Sequence, residues 1–218
     1  MDRVAQAKPA TSPGTTFAYG NTSYSVAGRI IEVVTGQSFE EAFERRIGGP
    51  VGMASTRFDD ANGRVTRNPV PAASAVSSLH DYGRYVQMIA ADGEIDGVRV
   101  LSPASVREME RDQVGALRDP DDFAVRTTGI DTYGLGLWRD VTTTTVDGVI
   151  SSGNGAFGFY PWIDRARNAF GVLLVYDAAH SSEHAVPASQ RIVHQVWDAL
   201  DVETGPAVTT QPTVVHGR

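Results

Sequence analysis

Tyr19 and Asn21 lie directly ahead of an amphipathic run from Tyr24 to Thr35, and they are the side chains best suited to carbonyl chemistry. A tyrosine beside a nucleophile works as a general base when cationic neighbours lower its pKa from about 10. An asparagine two residues on can hydrogen-bond a substrate amide. The plainer reading of the tripeptide is a loop leading into a helix, with Asn21 or Thr22 as N-cap. His180-Ser181-Ser182-Glu183-His184 has the His-x-x-Glu-His spacing of a zinc hydrolase. That chemistry needs both histidines and the glutamate on one helix. Here the stretch follows a strand ending near Tyr176 and stops three residues before Pro187, so a loop is expected. A zinc site at His180, Glu183 and His184 is kept as the lesser alternative. Ser78, His80 and Asp81 supply the residue types of a triad, but Ser78 reads as the cap of the helix carrying the other two. No Gly-x-Ser-x-Gly elbow and no Gly-x-x-x-x-Gly-Lys loop occurs.

The elements that must position these residues follow from periodicity and punctuation. Val26, Ile30, Val33 and Val34 recur at helical spacing, and Gly36 ends the run as a C-terminal cap. Ser38 with Glu41 forms a capping box for a second helix with Phe39, Ala42, Phe43 and Ile47 on its apolar face, stopped at Gly48-Gly49-Pro50. Residues 54–76 read as loop. Ser78 and Asp81 open a third helix with a stripe of Leu79, Tyr82, Val86 and Ile89, closed by Gly93. Ser102-Pro103 opens a fourth, with Val106 and Met109 inward, and residues 112–131 read as loop. The pattern then turns to strands: 133–138, 142–146, 149–151, 157–163 and 170–176, with Asp147-Gly148 as a hairpin signal and a turn at 165–168. A final helix follows Pro187, with Ile192, Val193, Val196, Trp197 and Leu200 on one face. Helices, then an antiparallel meander, then one closing helix make an α+β fold. Residues 1–16 read as an extended lead-in, 17–200 as the folded domain and 201–218 as a flexible tail.

Composition removes several function classes. A chain of 218 residues with 41% apolar residues can bury a sizeable core in one domain or two small ones. The net charge is −7 with no basic block. That disfavours nucleic acid or an anionic membrane as partner, since both need a positive face. No run approaches the roughly 18 apolar residues of a membrane span. With no cysteine, thiolate nucleophiles and thiolate metal sites are excluded. Residues 1–9 lack the apolar region of a signal peptide, which leaves the compartment unknown. No cofactor is implied by any motif.

The segment 13–24, Pro-Gly-Thr-Thr-Phe-Ala-Tyr-Gly-Asn-Thr-Ser-Tyr, followed by 28–39, resembles the serine β-lactamase-like superfamily. The branch it is most similar to holds class C β-lactamases, D-aminopeptidases and β-lactamase-fold carboxylesterases. The resemblance continues through Pro50-Val51-Gly52-Met53, Val76-Ser77-Ser78-Leu79-His80-Asp81, Leu101-Ser102-Pro103, Tyr133-Gly134-Leu135-Gly136-Leu137-Trp138 and Gly155-Ala156-Phe157-Gly158, in the family's order over residues 13–200.

The resemblance implies a partial β-lactamase/transpeptidase-like fold and acyl transfer from an ester or amide to a serine, followed by hydrolysis. It implies an acid/base role for Tyr19 and a substrate and lysine contact for Asn21. The family's third motif, Lys-Thr-Gly or His-x-Gly, falls on Ile150-Ser151-Ser152-Gly153-Asn154-Gly155, so Ser151, Ser152, Gly153 and Gly155 are expected to line the substrate. Counting from Gly155 puts Gly153 at the motif's cationic position; counting from Gly153 puts Ser151 there. Either way the cation is absent, which leans toward neutral esters. A backbone N–H of this strand is a candidate oxyanion donor; the plainer reading is a glycine-rich bend. Tyr133 and Trp138 are expected to flank the pocket or to fill the core.

The family's nucleophile motif, Ser-x-x-Lys, is missing. The sole lysine is Lys8, and the residue three before it is Ala5. Three accounts fit: a C-terminal portion of a hydrolase, a non-catalytic ligand-binding homologue, or a nucleophile arriving on another polypeptide. A meander without N-terminal strands leaves an open edge. Self-association, or complementation by a missing N-terminal segment, is therefore expected.

Overall fold

The computed structural model describes residues 4, 6–9, 11–60, 63–66, 69–117, 119, 121–130, 132–140, 149–177 and 185–203. The strand expected at 142–146, its Asp147-Gly148 turn, and the triplet His180, Glu183 and His184 lie outside the described residues.

Helix α1 is Asn21–Thr35, and Gly36 caps its C-terminus in the left-handed region at φ 66°. Its N-cap is Gly20, with no side-chain cap bond, rather than Asn21 or Thr22. Helix α2 is Phe39–Phe43 with the expected Ser38/Glu41 capping box. The chain does not stop at Gly48-Gly49-Pro50. A π-helical turn, Glu44–Gly48, and a last α turn, Gly49–Val51, carry the helical path to Gly52 at φ 81°. Pro50 sits in the first turn of that last segment, where its missing N–H is not needed.

Strands β1 (Arg57–Phe58) and β2 (Ala75–Val76) form a small antiparallel pair inside the expected loop. Helix α3 is Leu79–Ala90, capped by Ser78. A hairpin of β3 (Glu94–Ile95) and β4 (Val98–Arg99) follows. Asp96 and Gly97 both take positive φ, the requirement of the tight hairpin turn that an Asp-Gly pair favours. Helix α4 is Pro103–Glu110, capped by Ser102, and the short helix α5 is Phe123–Thr128, capped by Asp122, within the stretch expected as loop.

The main sheet is antiparallel, in the order β5 (Trp138–Asp140), β6 (Ile150–Ser152), β7 (Tyr160–Asp164), β8 (Ala169–Leu173). Residues 133–138 are a tight return instead of a strand: Tyr133 bridges to Trp138 across its own turn, with Gly136 at φ 87°. Helix α6, Val186–Glu203, closes the chain.

These elements form three layers. Trp138, Ser152 and Trp162 stand in register on one face of the sheet, which packs on Val193 and Trp197 of α6. The opposite face presents Ile163 and Val172 to Val86, Met88 and Ile89 of α3. The inward line of α6 is Ser189, Val193 and Trp197, while Ile192 and Val196 are exposed, so the expected face is rotated.

The outward turn of α1 matters more. Ile30, Val33 and Val34 are 56%, 66% and 74% exposed, and only Gly28 is buried. The helix packs by its glycine: a Cβ on Gly28 would stand 2.6 Å from Pro71 Cγ and 3.4 Å from the Phe39 ring. The apolar stripe points the other way and no described residue covers it. At the sheet's far side β8 is an edge strand with Phe170 exposed, and Leu174 beyond it is exposed as well.

Candidate active site

The Phe17–Tyr24 segment is pinned at both ends. The Phe17 N–H donates to the Leu117 carbonyl at 3.1 Å. The Tyr19 N–H donates to Asp122 Oδ2 at 3.1 Å. That same carboxylate caps α5, with Oδ1 accepting from the Ala124 N–H at 2.8 Å. Asp122 lies within the stretch 112–131 that the sequence reads as loop, although an Asp ahead of Phe-Ala-Val is an ordinary helix-start signal.

Held this way, Tyr19 leans on two aromatic rings. It meets Trp138 at 5.1 Å between centroids and the Tyr133 ring edge-on at 5.7 Å. Trp138 and Tyr133 contact each other at 4.8 Å. Both are buried in a core cluster with Val114, Ala124, Val125 and Ile130, so they fill core and also carry Tyr19. The Tyr19 ring itself remains 44% exposed. Asn21, in the first turn of α1, is exposed, and its carbonyl accepts from Ser25 Oγ.

Trp138 is the register partner of Ser152, so Tyr19 rides on the strand pair that includes the Ser151–Gly155 segment. The two serines face opposite ways. Ser151 Oγ donates to Glu110 Oε1 at 3.2 Å, and Glu110 Oε2 accepts from Arg165 Nε at 2.8 Å. Ser151, one of the two positions that count onto the family's cation, thus carries a hydroxyl turned to a carboxylate. Ser152 is buried beside Tyr160. Burial and the nearby Asp140 push the Tyr160 phenol up to about 12, with Ser152 pulling the other way. The N–H of Gly153 donates to the Pro161 carbonyl at 2.9 Å and that of Gly155 to the Phe159 carbonyl at 2.8 Å. Those two donors are occupied and are not free oxyanion donors. Among the described residues, neither atom of the buried Asn154 amide between them has a hydrogen-bond partner.

The electrostatics at Tyr19 run against ionisation. Partial burial, then the neighbouring Tyr24 oxygen, then Asp122 all push its phenol above its ordinary value. Two surface concavities occur elsewhere, one on α4 at Arg107, Glu108 and Arg111 and one at the β7–β8 turn, and neither is lined by Tyr19, Asn21 or the Ser151–Gly155 strand. Among the described residues no cluster of three His, Asp or Glu side chains is placed to hold a metal ion. No described helix is long and apolar enough to cross a membrane.

Comparison with known proteins gives the arrangement its context. The Beta-lactamase family model matches residues 1–194. Penicillin-binding protein 4 of Amycolatopsis lactamdurans is 30% identical over 154 residues, covering 59% of this chain and 40% of that protein. An uncharacterized protein of Mycobacterium tuberculosis is 26% identical over 213 residues, covering 83% and 53% respectively. The chain therefore spans about half the length of the curated relatives it matches. Among solved structures, a beta-lactamase candidate from Bacteroides dorei superposes with a TM-score of 0.74 at 27% identity, over 90% of this chain and 63% of its own. The D-amino acid amidase of Ochrobactrum anthropi shares the fold, with a TM-score of 0.66 at 20% identity over 93% of this chain and 62% of its own.

Proposed function

The chain belongs to the beta-lactamase family, and on that premise we propose that it carries the Tyr-x-Asn half of an acyl-transfer site for a small ester or amide. The observation that carries this reading is the placement of Tyr19 on Trp138, the register partner of Ser152, with Asn21 opening the adjoining helix. In the proposed reaction a serine oxygen attacks the carbonyl carbon and loses its proton to the base. The alcohol or amine leaves with a proton, and water then hydrolyses the serine ester. Tyr19 is the acid/base in that scheme, and Asn21 contacts the substrate. The strand segment of Ser151, Ser152, Gly153 and Gly155 bears no cation; Ser151 is turned to Glu110 and Ser152 to the opposite face. A neutral acyl group suits such a segment better than a substrate carboxylate.

The serine and a lysine are the parts these 218 residues do not supply as Ser-x-x-Lys. The raised Tyr19 pKa agrees with this division. A phenol flanked by a carboxylate and two other phenols needs an incoming cation before it works as a base near neutral pH. The uncovered stripe of α1 supports complementation, because Ile30, Val33 and Val34 give an added segment an apolar seat on the helix that Asn21 opens.

The test is intact-mass analysis after exposure to a fluorophosphonate, alongside a chromogenic ester assay. It is run on the chain alone and after adding the portion of the Bacteroides dorei protein outside the aligned region. The expected result is no adduct alone and one adduct, on the added segment, in the mixture. A stoichiometric adduct on the chain alone would overturn the division of labour. Ester binding in both samples without turnover would favour a non-catalytic ligand-binding homologue.

A further inference from the structure

The hydroxyls of Tyr24 and Tyr133 lie 2.8 Å apart, joining residues 109 positions distant in sequence. Tyr24 is three residues beyond Asn21 on α1, so this bond ties the helix that carries Asn21 to the ring on which Tyr19 leans. Tyr133 is the hub of the aromatic group. It contacts Phe17 at 5.8 Å as well as Tyr19 and Trp138, and its carbonyl accepts from the Gln113 N–H at 2.8 Å. Burial, and then the bond to Tyr24, push the Tyr133 phenol far up, and either hydroxyl can serve as the donor of the pair. The turn at Gly136, where a Cβ would stand 3.9 Å from the Tyr24 hydroxyl oxygen, leaves space beside that oxygen.

We propose that Tyr24 is a positioning residue of the candidate site: through its hydroxyl bond to Tyr133 it locks α1 to the aromatic platform and sets the orientation of the Tyr19 ring. The inference rests on the reading of Tyr19 as the acid/base. The titratable groups placed against Tyr19 are Tyr24 from α1, Tyr133 from the turn before β5 and Asp122 from the head of α5. Of these, Tyr24 is the one whose hydroxyl can be removed to change the geometry while leaving the ring packing intact.

The experiment follows the ring of Tyr19 by NMR of tyrosine-labelled protein, with Tyr19→Phe identifying its signal. In Tyr24→Phe the Tyr19 ring signal is expected to lose dispersion. Tyr82→Phe, which removes a hydroxyl from the distant α3 core, is expected to leave it unchanged. A Tyr19 ring signal that overlays wild type in Tyr24→Phe, whatever happens to the melting temperature, overturns the proposal and leaves the bond a purely structural one. If Tyr24→Phe does not fold, Tyr133→Phe breaks the same hydrogen bond while keeping the ring, and its Tyr19 ring signal carries the same two outcomes. None of these readouts needs turnover. Absence of activity in the complemented mixture would count against the proposed reaction and leave the Tyr24–Tyr19 coupling standing.

Discussion

The backbone N–H of Tyr19 donates to the carboxylate of Asp122 at 3.1 Å, across 103 residues of sequence. The other oxygen of the same carboxylate caps α5. The position of the candidate acid/base and the start of a helix thus depend on one side chain. Asp122→Ala removes an N-cap worth about 1 kcal/mol and a charged hydrogen bond worth about 1–2 kcal/mol, so a loss of roughly 2 kcal/mol is expected. Asp122→Asn keeps an acceptor for only one of the two N–H donors, its NH2 facing the other, and should recover about half of that loss. Thermal melts of the two variants check the ordering; equal losses would mean that the retained hydrogen bond contributes nothing.

Acid sensitivity is expected to run through Asp81. Burial alone would raise the pKa of this carboxyl, but hydrogen bonds from the Ser55 N–H, the Thr56 hydroxyl, His80 and Ser78 outweigh it and hold it below the usual range. A carboxylate with a depressed folded pKa stabilises the fold fully above its unfolded value, near 4, and that contribution is lost as pH falls through the folded value. Asp81→Asn should therefore flatten the acid limb and cost about 1–3 kcal/mol at neutral pH, through donors left poorly matched. Urea melts between neutral pH and about pH 3 make the comparison. A variant with an unchanged acid limb would assign it to other carboxylates.

Gly134 is expected to resist any side chain. A Cβ there would run into the Met109 carbonyl, a backbone atom that also accepts from the Leu135 N–H at 2.9 Å. Gly134→Ala should cost about 1–3 kcal/mol by overpacking. It should also disturb the Tyr133 platform next to it. Equilibrium unfolding measures the first effect, and tryptophan fluorescence from buried Trp138 reports the second; a neutral substitution would mean that the Tyr133–Trp138 return is slack.

The exposed stripe of α1 is expected to drive association. Ile30→Lys with Val34→Glu places charge at positions 56% and 74% exposed, where substitution seldom changes stability by more than about 0.5 kcal/mol. The variant should melt like wild type and show less self-association in light scattering. Destabilisation by several kcal/mol would instead show that the stripe is covered within the folded chain.

Caps and turns were readable along the chain because their partners lie within a few residues. Ser38, Ser78 and Ser102 each accept from a backbone N–H three positions on, and Gly36 takes the left-handed conformation that ends α1. The strand run and the closing helix followed from β-branched and aromatic patterning, and the ordered set of segments pointed to the family. The second helix was misjudged at Gly48-Gly49-Pro50, since a π turn absorbs the proline without breaking the helical path. The β3–β4 hairpin was missed although Asp96-Gly97 signals it.

By itself, the sequence determined the α+β class, the family and the absence of Ser-x-x-Lys, and it singled out Tyr19 and Asn21 as candidates, because each is carried by residue type and local spacing. Only the tertiary structure decided which way the α1 stripe faces, that Asp122 and Trp138 seat Tyr19, that Ser151 turns to Glu110, and that Tyr24 meets Tyr133. Periodicity states that a helix has an apolar side but not what covers it. Contacts that span about a hundred residues depend on how layers stack, which no local pattern encodes.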